Sequence, residues 1–249
     1  MKQRDKVLIL TPVKDAELFL DDYFEALFKL EYSRELLSIG FLESDSSDDT
    51  FSKLEARVIE LNREFRRGQL WKKDFGYRIP ADTPRYAHHI QVERRIALAK
   101  SRNHLLFHAL DDEDWVLWLD VDVIEYPKDV IERLITTGKQ IVQPNCVTHY
   151  GGPSFDLNAW RDHGHLHMHD LKAEGELVKL DSVGGTMLLI RADAHRDGLI
   201  FPPFAYGNEN PLIRKDNFGE IETEGLGIMA SDMGLQCWGM PRLEIKHRS

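Results

Sequence analysis

Apolar positions along the first half of the chain fall into two alternating periods. Residues 6–11 form a short apolar run closed by Pro12, which predicts a strand buried on both faces. Asp15 stands where an N-cap belongs, and Leu18, Phe19, Tyr23, Phe24, Leu27 and Leu30 follow at helical spacing. Residues 36–42 read as a second strand. Phe51, Leu54, Val58, Leu61 and Phe65 then mark an amphipathic helix. Residues 71–75 suit a third strand, and Pro80 and Pro84 mark a loop.

A long helix is predicted over residues 89–110, with His88 and His89 at its entry and Val92, Ile96, Ala99, Leu105 and Leu106 among its apolar positions. Residues 115–119 are apolar and aromatic, as a central strand requires. Pro127 opens another helix and Gly138 closes it. Residues 141–147 and 186–190 are further strands, 226–233 a helix, and 243–247 a short strand. Alternating strand and helix is the pattern of an α/β fold, a mostly parallel central sheet flanked by helices. There are no repeats and no linker, so one domain is expected.

Composition narrows the function. At 249 residues, 42% hydrophobic and 30% charged, the chain is an ordinary globular protein able to bury its own core. A net charge of −10 gives no basic footprint for nucleic acid. A local basic site remains open, with Arg94, Arg95, Lys100 and Arg102 as its candidate. Cys146 and Cys237 read as free thiols of a reducing compartment. No apolar run approaches the ~18 residues of a membrane span, and the amino terminus lacks a signal region. The expected location is cytoplasmic, with peripheral membrane association left open.

Asp120 and Asp122 stand two apart just beyond the most apolar strand. Ligands of open α/β sheets collect at the carboxyl ends of strands, and paired carboxylates there suit Mg²⁺ or Mn²⁺ beside a diphosphate. Residues 11–14 (Thr11, Pro12, Val13, Lys14) and Glu43 to Asp45 end the first two strands, where a base and ribose would lie. Arg94 and Arg95 are ~100° apart on a helix, so one of them is expected at the phosphates, and Arg95 is favoured. Glu222 and Glu224 precede the helix at 226–233, where carboxylates suit the helix dipole. His163, His165, His167 and His169 would share a face on a strand. With no matching Cys or carboxylate set, they read as a polar loop near the acceptor.

Several motifs occur in order: Val-Leu-Ile-Leu-Thr-Pro-Val-Lys-Asp-Ala (7–16), Phe-Leu-Glu-Ser-Asp-Ser-Ser-Asp-Asp-Thr (41–50), Lys-Asp-Phe-Gly (73–76), Arg-Arg (94–95) and Ser-Arg-Asn (101–103). Trp-Val-Leu-Trp-Leu-Asp-Val-Asp (115–122), Phe-Asp-Leu-Asn-Ala-Trp (155–160), Asp-Ser-Val-Gly-Gly-Thr (181–186), Glu-Thr-Glu-Gly (222–225) and Ile-Lys-His (245–247) follow. This ordered set resembles the Anp1/Mnn9/Van1 family of α-mannosyltransferases over almost the whole chain. The family usually has Ala where this chain has Val121, and Arg where it has Lys14.

The resemblance implies a GT-A, Rossmann-like fold whose nucleotide-binding half covers about residues 1–125 and whose acceptor half covers 126–249. It implies GDP-mannose as donor, a glycan acceptor, and Mn²⁺ (or Mg²⁺) held by Asp122 and His247 with Asp120 beside them. Asp120, Val121, Arg95, Arg102 and Asn103 would join the nucleotide-sugar site, and one of Glu222 and Glu224 would meet sugar hydroxyls. If the anomeric configuration is retained, the departing phosphate itself can take the acceptor proton. Donors linked to UDP, nucleotidyl transfer and a non-catalytic nucleotide-sugar-binding module are the alternatives. Nucleotidyl transfer would want a glycine-rich triphosphate loop, and residues 11–16 contain no glycine.

Overall fold

Neighbouring side chains of a strand point to opposite faces, so an uninterrupted apolar strand has to be covered on both. The computed structural model describes residues 5–79, 83, 87, 90–214 and 218–248. In chain order its elements are β1 (Val7–Val13), α1 (Leu20–Phe28), β2 (Leu37–Glu43), α2 (Thr50–Glu64), β3 (Arg67–Lys72), α3 (Gln91–Ala109), β4 (Trp115–Leu119), β5 (Val123–Glu125), α4 (Val130–Thr136) and β6 (Ile141–Val147). Then come β7 (Trp160–Arg161), β8 (Leu166–His167), β9 (Val178–Leu180), β10 (Met187–Arg191), α5 (Ala192–Arg196), α6 (Glu222–Asp232) and β11 (Cys237–His247).

The nine-stranded sheet has the order β3-β2-β1-β4-β10-β6-β11-β5, and β9 pairs with the start of β11. β3, β2, β1 and β4 are parallel, β10 is antiparallel to both neighbours, and β6 and β11 are parallel. Val7 and Ile9 of β1, with Leu117 and Leu119 of β4, pack against Tyr23, Phe24 and Leu54 on one face. Leu8 and Leu10, with Val116 and Trp118, pack against Leu105 and Leu106 of α3 and Leu226 of α6 on the other. These are the two helical layers that the alternation predicts. No described helix is long and apolar enough to cross a membrane.

Several boundaries differ from the sequence expectation. β1 continues through Pro12 to Val13, because pairing with β4 stops at Leu10 and the missing N–H has no ladder partner to lose. Asp15 is not an N-cap. Its φ is +46°, its carboxylate accepts from the Ser47 backbone N–H and hydroxyl, and α1 begins only at Leu20. β3 starts four residues before the expected Trp71, since Gly68 lets the strand lie against Leu61, where a Cβ would come within 2.7 Å. Pro127 makes a turn ahead of α4, its carbonyl accepting from Val130 N–H, and Gly138 with φ +66° follows that helix. β11 is far longer than the expected strand. The histidine run is broken by a hairpin of β7 and β8, with His163 at φ +57°. Pro80, Pro84, His88 and His89 lie outside the described residues. Both cysteines are buried and unpaired.

The junction of β3 with the α3–β4 loop centres on one buried carboxylate, with Asp111 and Asp112 pairing at its rim. Fully buried Glu113 accepts from Arg66 at 2.9 Å and from Arg67 at 2.8 Å through Oε1, and from the Asp111 N–H at 3.0 Å through Oε2. Glu113→Ala leaves Arg66 with Asp112 and Arg67 with Asp111 alone and should lower the unfolding free energy by about 2 kcal/mol in urea denaturation. A loss below about 1 kcal/mol would mean that solvent screens the pair.

Candidate functional site

The carboxyl ends of β1, β2 and β4 open onto a cleft of about 240 Å³. Pro12, Val13 and Lys14 form one wall, Asp120, Val121 and Asp122 another, and Asp45 sits at its edge. Lys14 Nζ donates to the carbonyls of Asp45 at 2.8 Å and Tyr77 at 2.9 Å. Asp45, at φ +56°, accepts from the backbone N–H groups of Phe75 (2.8 Å) and Gly76 (3.0 Å). The Lys-Asp-Phe-Gly segment is thereby clipped over the cleft, with Phe75 and Tyr77 lining it.

Five expected nucleotide contacts, Thr11, Glu43, Asn103, Arg95 and Arg102, fall outside the cleft lining. Thr11 is fully buried, its hydroxyl 2.7 Å from that of Tyr23. Glu43 is fully buried and accepts from Ser46 N–H, with Lys72 3.3 Å away. Asn103 clamps a loop, donating to the Phe201 carbonyl at 2.7 Å and accepting from its N–H at 2.9 Å. Thr11 is turned to Tyr23 of α1, and Glu43 to the turn at Ser46 and to Lys72. The expectation for the paired arginines is corrected as well. Arg94 lines the cleft, whereas Arg95 turns to Glu224 at 2.5 Å and to the Ile221 carbonyl at 2.7 Å.

Behind the cleft lies Arg102, only 1% exposed. Its Nε donates to Glu222 at 3.0 Å and its Nη2 to Asp120 at 2.9 Å, while Nη1 has no hydrogen-bond partner among the described residues. The guanidinium packs against the rings of Trp118 and Phe201, at 5.6 and 5.3 Å. Burial opposes its charge, yet the two carboxylates outweigh burial and raise its pKa. Asp120 is held above the ordinary carboxylate range by burial and by Asp122 and Asp156, against the pull of Arg102.

Asp122 meets the far end of the chain. Its Oδ2 is 3.1 Å from His247 Nε2, and its carbonyl accepts from Arg248 N–H at 2.9 Å. His247 is not frayed, because β11 pairs with both β6 and β5. Burial lowers its pKa, but the hydrogen bond and charge of Asp122 win and raise it overall. Among the described residues no three His, Cys, Asp or Glu side chains form a preformed metal cage. The pair Asp122–His247 converges; Asp120 is turned to Arg102.

With that arrangement in view, the Anp1 family model matches residues 1–169 and 163–205. The chain belongs to the Anp1 family. It is 29% identical to the mannan polymerase complex subunit MNN9 of Candida albicans, over 99% of this chain and 76% of that protein. Identity to the corresponding mnn9 subunit of Schizosaccharomyces pombe is 28%, over 100% of this chain and 82% of the other. A solved mannosyltransferase of Pyrobaculum calidifontis, in complex with GDP-Man and Mn²⁺, aligns at a TM-score of 0.60 with 14% identity, over 99% of this chain and 57% of that one. GalNAc-T7 with UDP, GalNAc and Mn²⁺ aligns at 0.63 with 11% identity, over 100% and 45%. The present chain thus spans less than two thirds of either structure. The shared architecture is the GT-A glycosyltransferase fold.

In this Anp1-family chain, Glu222 and Glu224 lie in the first turn of α6 rather than ahead of a helix. Glu222 has φ +57°, an uncommon backbone for a residue with a side chain. Glu224 is enclosed, accepting from Trp160 Nε1 at 2.9 Å and Arg214 at 2.9 Å besides its pair with Arg95. Burial pushes its pKa up, and the two arginines pull against that. Neither carboxylate lines the cleft. Sequence reasoning gave no role to Asp156, which accepts from the Thr186 N–H (3.2 Å) and hydroxyl (3.0 Å). The signal was the glycine pair. A Cβ at Gly184 would fall 2.0 Å from Asp156, and one at Gly185 2.4 Å from Arg102 Nη2. The histidine run contributes no cluster; His163 Nδ1 donates to the Ile213 carbonyl at 2.8 Å.

Two predictions follow from this geometry. Arg102→Met removes the cation that Asp120 and Glu222 share, and should cost about 3–5 kcal/mol of stability by urea denaturation. A loss under about 1 kcal/mol would show that the two acids tolerate each other. For His247, a pKa raised on folding adds stability that is fully present below its unfolded value, ~6.5, and is lost as pH rises through the folded one. The stability gap between the metal-free protein and His247→Gln should therefore narrow from pH 6 to pH 9. A gap that widens with pH would reverse the sign.

Proposed function

We propose that this Anp1-family chain is a metal-dependent glycosyltransferase that moves an α-mannosyl group from GDP-mannose, with retention, to a hydroxyl of a glycan acceptor. The observation that carries this reading is the meeting of Asp122, which lines the cleft at the strand ends, with His247, which does not itself line it. A carboxylate oxygen and an imidazole nitrogen 3.1 Å apart can share one divalent ion. Two protein ligands suit a cation that keeps its other positions for water and phosphate oxygens, and the imidazole favours Mn²⁺ over Mg²⁺. When bound, such an ion neutralises charge on a departing diphosphate.

The rest falls to the chain's own side chains. Lys14 and Asp45 shape the nucleotide end of the cleft through the carbonyls and N–H groups they fix. Arg94 lines the same cleft from α3 and is the arginine placed to meet phosphate oxygens. Arg95 acts behind it, holding α6 through Glu224. Arg102 orients Asp120 through one carboxylate oxygen. Glu222 and Glu224 position the site and do not touch sugar. No general base is needed, since with retention the departing phosphate accepts the acceptor's proton. The names of the relatives, as subunits of mannan polymerase complexes, support action within an assembly on a mannose-containing glycan.

Calorimetry tests the donor. GDP should bind at least tenfold more tightly than UDP when Mn²⁺ is present, and EDTA should abolish GDP-mannose turnover. Asp122→Ala should abolish turnover, with least change in the melting temperature of the metal-free protein at alkaline pH, where the pair with His247 adds least to stability. Equal affinity for UDP would remove the mannosyl assignment, and full activity in EDTA would remove the metal. Binding without turnover by any donor would leave a nucleotide-sugar-binding module.

A further inference from the structure

Beyond β6 the chain crosses past His247 in a segment whose polarity is turned inside out. Along residues 153–157 the side chains alternate between solvent and interior. The inward ones are Ser154 and Asp156; the outward ones are Pro153, Phe155 and Leu157. An extended segment lying over a core ordinarily has its apolar residues beneath and its polar ones in water.

The inversion is built in. Ser154 Oγ donates to Asn145 at 2.7 Å and accepts from His169 N–H at 3.0 Å. Asp156 is gripped by Thr186 through Oδ2 and by Asn158 N–H, at 3.2 Å, through Oδ1. Phe155 N–H donates to the Cys146 carbonyl at 2.7 Å. Gly184 has no side chain where Asp156 enters. A shift by one residue would bury Phe155 and expel Asp156, and every one of these bonds opposes it.

Phe155 is 44% exposed and Leu157 52%. The Phe155 ring stacks on the His247 imidazole, centroids 3.9 Å apart and planes 25° from parallel. From the cleft outward the order is therefore Asp122, His247, Phe155. Asp122 faces the cleft, and the apolar ring stacks on the imidazole beyond it.

We propose that Phe155, with Leu157 two residues along on the same side, is the platform on which the acceptor sugar lies. The ligand class is a pyranoside whose C–H face packs on the aromatic ring while its hydroxyls stay in water. A ring with a negative face attracts such weakly positive C–H groups, and an aliphatic side chain of equal size does not. The inference rests on the glycosyltransferase reading above, and it assigns the acceptor subsite within it.

Saturation-transfer NMR with methyl α-mannopyranoside tests the platform on the full chain, loaded with Mg²⁺ and GDP to avoid paramagnetic broadening. The sugar ring protons should be saturated by the wild type. Phe155→Leu, which keeps apolar packing on His247, should weaken mannoside binding at least fivefold. Phe155→Trp should hold it within twofold. Calorimetry with GDP reports the donor site separately. A mannoside that binds Phe155→Leu as well as wild type shows the ring to be only a prop for His247 and overturns the proposal. So does a protein that binds GDP but no mannoside. Loss of binding in Phe155→Leu together with equal GDP and UDP affinity upholds the platform and removes only the donor assignment.

Discussion

Arg102 carries a permanent positive charge inside the fold, and a buried guanidinium is tolerable only with its charge answered. Two carboxylates answer it, one from the end of β4 and one from the start of α6. The helix that carries Arg102 is thereby fixed to the strand that carries Asp120, and Asp122 is set two residues further on. Gly185 exists to admit the guanidinium, and the rings of Trp118 and Phe201 close it in. Next to it, Asn103 pins the backbone of Phe201. Most of the Ser-Arg-Asn and Gly-Gly motifs is accounted for by this one buried ion.

The sequence was most legible where hydrophobic burial alone decides the structure. β4 and β6 run over the residues expected of them, because a continuous apolar run of strand length has few other ways to be buried. Where polar contacts decide, periodicity was silent. β11 begins six residues early, through Trp238, Met240 and Pro241, and its register shifts between Met240 and Glu244. α6 begins on a residue at positive φ, which no propensity favours. The choice between Arg94 and Arg95 is made by Glu224, a residue on another helix. Adjacent positions on a helix carry no internal signal of which one faces a cleft. His247 became visible as a candidate only through the family resemblance, since a histidine two residues from the end normally frays.

What prevents that fraying is the sheet. β11 lies between β6 and β5, so the last turn of chain is laid against the loop that follows β4. Arg248 then ties its N–H to Asp122 and its side chain to Asp22 and the Leu18 carbonyl. The candidate metal pair is as rigid as the strand pairing beneath it. That rigidity also explains why Phe155 can stack on His247 while leaving one side open.

The pKa shifts at this wall run in one direction. Asp120 is held above its ordinary pKa, which disfavours its negative form, and His247 is held above its own, which favours its positive form. The buried Cys146 thiol is raised as well, by burial first and then by Asp156, Asp120 and Asp122. Burial is the first cause for Asp120 and Cys146, and for His247 the Asp122 carboxylate outweighs burial, so only part of each shift comes from the carboxylates of this wall. A diphosphate brought alone to such a wall would be repelled. A cation held between Asp122 and His247 would cancel that repulsion, in competition with any proton on the imidazole. The acidity that recruits the ion thus also sets the pH below which protons exclude it.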